Sequence, residues 1–123
     1  MDNKFFVSPE AARLLKEKGY DRECISYYYD NCTEVDYSFC GERNSTWEER
    51  CISAPTKAEA IDWLDENGIV IEINSIRNNK WRFSLYRDGF FFYDSWIHNR
   101  VDYSSRLEAE EYAIIEACKY INK

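Results

Sequence analysis

One histidine and five cysteines are the residues in this sequence best suited to covalent or metal chemistry. His98 is the one side chain that could act as a general base near neutral pH, and no nucleophile motif surrounds it. The cysteines contain no C-x2-C pair, the close spacing on which structural zinc sites depend; they are Cys24, Cys32, Cys40, Cys51 and Cys118. The sequence therefore predicts no catalytic residues, no metal, no cofactor and a non-enzymatic protein.

A hairpin rich in aromatic residues is the most distinctive feature of the chain. Asp88-Gly89 is a strong signal for a two-residue turn between strands at residues 81–86 and 90–97. Such a turn pairs Leu85 with Phe92. One face of the predicted hairpin then carries Trp81, Phe83, Leu85, Phe92 and Trp96. The opposite face carries the predicted interaction surface, Arg82, Tyr86, Phe91 and Tyr93.

Three alternatives remain for what covers this second face. They are the protein's own core or a second copy, a peptide or protein partner, and single-stranded nucleic acid. Aromatic rings stack on bases, and arginine adds positive charge. The local charge supports nucleic acid, because residues 77–100 hold five basic and two acidic residues, a net +3. The net charge of −7 for the whole chain opposes it. A second copy or another protein is therefore the predicted partner, and nucleic acid is the alternative.

Capping signals predict the three helices that must support this hairpin. Ser8-Pro9 starts a helix that runs to Lys18, with Ser8 as N-cap. Thr56 with Glu59 forms a capping box that starts the second helix, and a further box after Ser105 starts the third. These helices are expected to cover the face that carries Trp81.

The strands before the hairpin are only partly readable. Residues 69–74 alternate between apolar and polar types, which is typical of a half-buried strand. A two-residue turn at Asn78-Asn79 would place Ile71 and Ile73 on the Tyr86 face, whereas an odd-length loop or a bulge would place them with Trp81. Residues 20–53 are predicted only as irregular or short β structure. The predicted fold is α+β with a three-stranded antiparallel meander, in the order α-(irregular/short β)-α-β-β-β-α.

Length and composition indicate one small folded domain. The 123 residues fit one α+β domain, 1–123, and 17% of them are aromatic, which argues against disorder. No apolar run approaches the roughly 20 residues of a membrane helix, and the first residues do not resemble a signal peptide. We therefore expect a small cytoplasmic protein with reduced cysteines and no membrane partner.

Two stretches of the sequence resemble a known group of proteins. APTKAEAIDWL at residues 54–64, followed by GIVIEI at 68–73, resembles small proteins of unknown function from Bacteroides-group gut bacteria and their phages or mobile elements. Residues 11–20 and 104–110 are similar to that group as well. The resemblance implies an accessory protein encoded by a phage or mobile element, and it supplies no catalytic residues. The resulting function prediction is a protein-interaction module that self-associates as a homodimer through its aromatic sheet.

Overall fold

The computed structural model describes residues 3–122 and contains four α-helices and six strands in that range. The helices are α1 (Pro9–Glu17), α2 (Lys57–Glu66), α3 (Ser95–Asn99) and α4 (Arg106–Cys118). The strands are β1 (Cys24–Tyr29), β2 (Asp36–Glu42), β3 (Cys51–Ser53), β4 (Ile69–Ile76), β5 (Lys80–Arg87) and β6 (Phe90–Asp94). Short 3-10 helices cover Asn3–Phe5 and Arg77–Asn79.

The three predicted helix starts are confirmed by their caps. The Ser8 side chain accepts a hydrogen bond from the Ala11 amide at the start of α1. Thr56 and Glu59 form both halves of a capping box at α2. Ser105 caps α4 in the same way as Ser8 caps α1, but Glu108 accepts from the Ser104 amide, so the predicted capping box at Ser105 is only half formed. Each cap satisfies backbone donors that the first helical turn leaves unpaired, so the start of each helix is determined within four residues.

Two antiparallel sheets make up the β structure, so the α+β class is confirmed and extended. The order of the first sheet is β2-β1-β3, and the order of the second is β4-β5-β6. The first sheet comes from residues 20–53, for which the sequence predicts only irregular or short β structure. Helix α3 is also additional to the predicted order.

The β4–β5 connection decides which face the β4 isoleucines occupy. Three residues, Arg77–Asn79, separate the closing pair Ile76 and Lys80. This odd-length loop places Ile71 opposite Leu85 and Ile73 opposite Phe83, and the odd-length alternative is therefore the one observed.

The predicted register of the second hairpin is wrong beyond its first two pairs. Asp88 and Gly89 both have positive φ, as a tight hairpin turn requires. Tyr86 then pairs with Phe91, but a bulge at Phe92 makes Leu85 the partner of Tyr93. A bulge of one residue moves every later side chain to the other face of the sheet.

Strand β6 ends at Asp94, so the prediction of a strand up to residue 97 is also wrong. The Asp94 side chain accepts hydrogen bonds from the amides of Trp96 and Ile97 and caps α3. Ser95, the next residue, accepts a hydrogen bond from the Phe83 amide through its hydroxyl. A helix cap therefore ends the strand, and a side chain takes over one hydrogen bond of the ladder.

One cluster of buried side chains joins both sheets and helices α1, α2 and α4. Helices α2 and α4 pack on one face of β4-β5-β6, here called the inner face, over Phe83 and Leu85. Helix α1 packs mainly on α4 and β3, which corrects the expectation that all three predicted helices cover the sheet. No helix within residues 3–122 is long and apolar enough to cross a membrane.

Candidate interaction surface

The opposite, outer face of β4-β5-β6 carries a row of apolar side chains. Val70, Tyr86 and Phe91 are cross-strand neighbours on β4, β5 and β6, and we call these three residues the outer patch. Val70 is 42% exposed and Phe91 46% exposed, while Tyr86 is partly buried. The rings of Tyr86 and Phe91 meet edge to face, with centroids 6.0 Å apart. The outer patch is therefore a pre-ordered apolar surface in contact with solvent.

A polar row lies next to the outer patch. It consists of Glu72, Ser84 and Asp94, again one residue from each strand. The Ser84 hydroxyl donates to the Asp94 carboxylate at 2.9 Å, and the Tyr86 hydroxyl donates to Glu72 at 3.4 Å. Desolvation and the neighbouring Glu72 carboxylate both raise the pKa of Tyr86. The phenol is therefore neutral at physiological pH and acts as a hydrogen-bond donor at the border of the patch.

Arg82 lies on the outer face, but its guanidinium group is already engaged. Its Nε lies 2.5 Å from the Asp102 carboxylate, and the group lies 4.3 Å above the Trp96 ring. Both charged side chains keep only about a quarter of their exposure, 28% and 25%. The stacking on Trp96 of α3 and the ion pair with Asp102 hold Arg82 in place and reduce its availability to an incoming ligand.

Tyr93 belongs to the inner face, which corrects the fourth member of the predicted surface. It is 7% exposed and stacks on Phe83 with ring centroids 5.7 Å apart. Its hydroxyl accepts a hydrogen bond from the Asn99 side chain. Burial is the main cause that raises its pKa. The bulge at Phe92 causes this placement, so the structure brings together Tyr86 and Phe91 and removes Tyr93 from them.

His98 is exposed and already has hydrogen-bond and stacking partners. Its Nδ1 accepts a hydrogen bond from the Asp94 amide at 3.0 Å, and its ring stacks on Tyr93 with centroids 4.8 Å apart. Residues 3–122 contain no group of three or more His, Cys, Asp or Glu side chains placed to hold a metal ion. A backbone hydrogen bond and stacking on Tyr93 therefore hold His98 in place within α3.

A cleft beside the end of α1 is shallow, and its polar groups bond to each other. It has a volume of about 360 Å³ and lies where the end of α1 meets residues 44–45. The Asp21 carboxylate accepts two hydrogen bonds from Ser45, at 2.7 and 2.8 Å, and the Asn44 amide donates to the Tyr20 carbonyl. These bonds tie a loop to the helix end, so the cleft offers few unbonded groups to a ligand.

Val70 is the member of the outer patch that sequence reasoning did not identify. It lies between Ile69 and Ile71, so alternation already places it on the opposite face from them. Its neighbours on that face follow only from the three-residue loop at Arg77–Asn79, which the sequence left open. No protein-family model matches the chain, and the comparisons found no similar curated protein and no similar solved structure.

Proposed function

We propose that this protein is a non-enzymatic interaction module that self-associates through the outer face of β4-β5-β6. One observation carries the proposal: α2 and α4 cover the inner face, α3 covers the outer face only beside Arg82 and Ser84, and the outer patch stays exposed although its side chains are aromatic or branched apolar. Association would remove Val70 and Phe91 from water, which is favourable by roughly 25 cal/mol for each Å² of apolar surface buried. A second copy offers the same apolar row in the same geometry, as the most common symmetric dimers require.

Single-stranded nucleic acid is the second candidate, supported by Tyr86 and Phe91 as stackable rings and by the local positive charge. Its support is weaker, because Arg82 is paired with Asp102 and Tyr93 lies on the inner face. Binding of a labelled oligothymidine tests this candidate. Binding that weakens with salt and disappears in Tyr86→Ala would favour nucleic acid over self-association.

The proposed cellular setting is the cytoplasm, as an accessory protein of a phage or mobile element. All five cysteines are free, which fits a reducing compartment. The phage or mobile-element origin rests on the resemblance at residues 54–73. Neighbouring genes test it, because phage or conjugation genes on both sides would support the assignment and an unrelated metabolic operon would contradict it.

Sedimentation of the wild type and of Phe91→Lys tests the self-association proposal. We expect the wild-type mass to rise with concentration above the 14.8 kDa of one chain. A lysine at position 91 must lose its hydration if the outer face becomes buried, so we expect the mass at high concentration to fall by about half.

Phe90→Lys is the matched control for this experiment. Phe90 is the neighbouring residue and is 77% exposed, but it pairs with Arg87 and so lies on the other side of the sheet from Phe91. We expect Phe90→Lys to associate like the wild type. A wild type that stays at one chain mass at millimolar concentration would overturn the proposal, and so would an equal effect of both variants.

A further inference from the structure

Strand β4 forms an edge of its sheet and has one side without a partner. It pairs with β5 along its whole length without a register shift. No backbone hydrogen bond of residues 69–76 to a partner other than β5 occurs within the described range 3–122. The backbone groups that point away from β5 are therefore open to a further strand.

The other three edge strands are short or irregular, and β4 is neither. Strand β3 has three residues, β2 pairs with an irregular register, and β6 has five residues with a bulge at Phe92. Strand β4 has eight residues, IVIEINSI, with no proline, no lysine and no bulge, and Glu72 is its one charged residue. Long regular edges without such features are the ones that add another strand.

Side chains on the inner face are less buried on β4 than on β5. Ile71 and Ile73 lie in the same cross-strand rows as Leu85 and Phe83. Leu85 is fully buried and Phe83 is 2% exposed, whereas both isoleucines are only partly buried. The apolar layer under the sheet thus ends part-way across β4, and a neighbouring strand would extend it.

We propose that β4 pairs antiparallel with β4 of a second copy, in the register centred on Ile73. This inference rests on the proposed self-association and adds to it a second contact, at the edge of the sheet. The pairing would join two three-stranded sheets into one six-stranded sheet with both outer patches on the same face. The edge contact uses the backbone of β4 and does not require Phe91.

Charge and face select this register. Directly opposed residues of an antiparallel pair share a face, so even positions of β4 oppose even positions and odd positions oppose odd ones. Centring on Glu72 would place that carboxylate opposite its own copy, and like charges directly opposed are destabilising. Centring on Ile73 places Glu72 opposite the second copy's Asn74 and Val70 opposite the second copy's Ile76. It pairs seven residues, whereas centring on Ile71 or Asn74 pairs five.

A Glu72–Asn74 pair across the two copies is chemically reasonable. Within one chain the Asn74 amide already donates to the Glu72 carboxylate at 3.1 Å. The Asn74 amide group has two N–H donors, so a second one remains for the opposing Glu72. Twofold symmetry would form this pair twice in each dimer.

The test uses Phe91→Lys as background, because this change removes the outer-face contact and leaves β4 intact. We expect sedimentation of that variant to show a dimer of about twice the chain mass. Adding Asn74→Glu places a carboxylate opposite Glu72 of the second copy, and twofold symmetry repeats this repulsion. The dimer should therefore weaken by about tenfold or more. Adding Glu72→Lys together with Asn74→Glu restores opposite charges in this register alone and should recover the dimer.

Asn31→Glu in the same background is the matched control, because Asn31 is an exposed residue of the turn between β1 and β2. We expect it to leave the dimer unchanged. Hydrogen exchange gives an independent readout, since the amides of residues 70–76 that point away from β5 should exchange more slowly as concentration rises.

Each outcome separates the two proposals. A wild type that associates while Phe91→Lys is monomeric would overturn the edge contact and leave the outer-face proposal standing. A Phe91→Lys dimer that Asn74→Glu does not weaken, or that the double change does not restore, would overturn the register centred on Ile73. A wild type that remains monomeric would overturn both proposals.

Discussion

At the scale of single residues, Asp94 determines how β6 ends and α3 begins. One carboxylate oxygen accepts hydrogen bonds from the amides of Trp96 and Ile97 at 2.8 and 3.0 Å, and the other accepts from Ser84. Burial alone would raise the pKa of this carboxyl. The hydrogen bonds from Ile97, Ser84 and Trp96, with the Arg82 charge nearby, outweigh burial and hold the pKa below its usual value.

This lowered pKa predicts an acid dependence of stability. A carboxyl group whose pKa is lower in the folded state stabilises the fold above its unfolded pKa of about 4, and the stabilisation is lost as pH falls through the folded pKa. We expect Asp94→Asn to reduce the free energy of unfolding at pH 7 by about 1 kcal/mol. The variant should then lose less stability than the wild type between pH 5 and pH 2.

Urea denaturation at several pH values in that range measures this effect. Asp88→Asn, the same substitution in the exposed turn between β5 and β6, is the matched control. Parallel losses of stability for Asp94→Asn and wild type on acidification would contradict the assigned role of the carboxylate.

At the scale of elements, a side chain from α4 fastens the start of α1. The Glu111 carboxylate accepts hydrogen bonds from the Ser8 amide at 2.9 Å and from the Ser8 hydroxyl at 2.5 Å. The same hydroxyl caps α1 through the Ala11 amide. Glu111 therefore links the capping of one helix to the position of another, 103 residues apart in the chain.

We expect Glu111→Ala to destabilise the protein by about 1–3 kcal/mol, because the Ser8 amide loses a charged acceptor in a part-buried position. Glu110→Ala, one position earlier on α4, is the control. Its ion pair with Arg106 is a helical i, i+4 pair, the kind that contributes about 0.5 kcal/mol or less. Thermal unfolding and the exchange of α1 amides measure both effects, and equal losses in the two variants would contradict the linkage.

At the scale of the whole molecule, packing divides the five cysteines into two groups. Cys32 and Cys40 are exposed, and Cys24, Cys51 and Cys118 are buried. Burial is the main cause that raises the pKa of all three buried thiols, and it raises that of Cys118 to about 12. A buried thiol with a raised pKa is rarely the reactive thiolate.

Iodoacetamide labelling at pH 8, followed by mass spectrometry, checks this division. We expect two modified cysteines, Cys32 and Cys40, in the native protein and five after denaturation in guanidinium chloride. Unfolding both exposes the buried thiols and returns their pKa to about 8.5. Rapid native labelling of Cys118 would show that α4 does not stay packed against the core.

The sequence alone determined the features that depend on neighbouring residues. The caps at Ser8, Thr56 and Ser105 and the tight turn at Asp88-Gly89 each involve groups within about four residues, so their chemistry is visible locally. They were enough to predict three helices, the hairpin and the α+β class. They also placed Tyr86 and Phe91 in one surface.

Only the tertiary structure decided the features that depend on distant partners. Tyr93 lies on the inner face because of the bulge at Phe92. The Asp94 cap of α3 is local, but the Ser95 hydroxyl replaces a strand partner by accepting from the Phe83 amide, 12 residues away in the chain. The strands of the first sheet lack clear alternation and become strands through pairing across long loops. Pairing and bulges depend on the sum of many weak long-range contacts, which a pattern along the chain does not record.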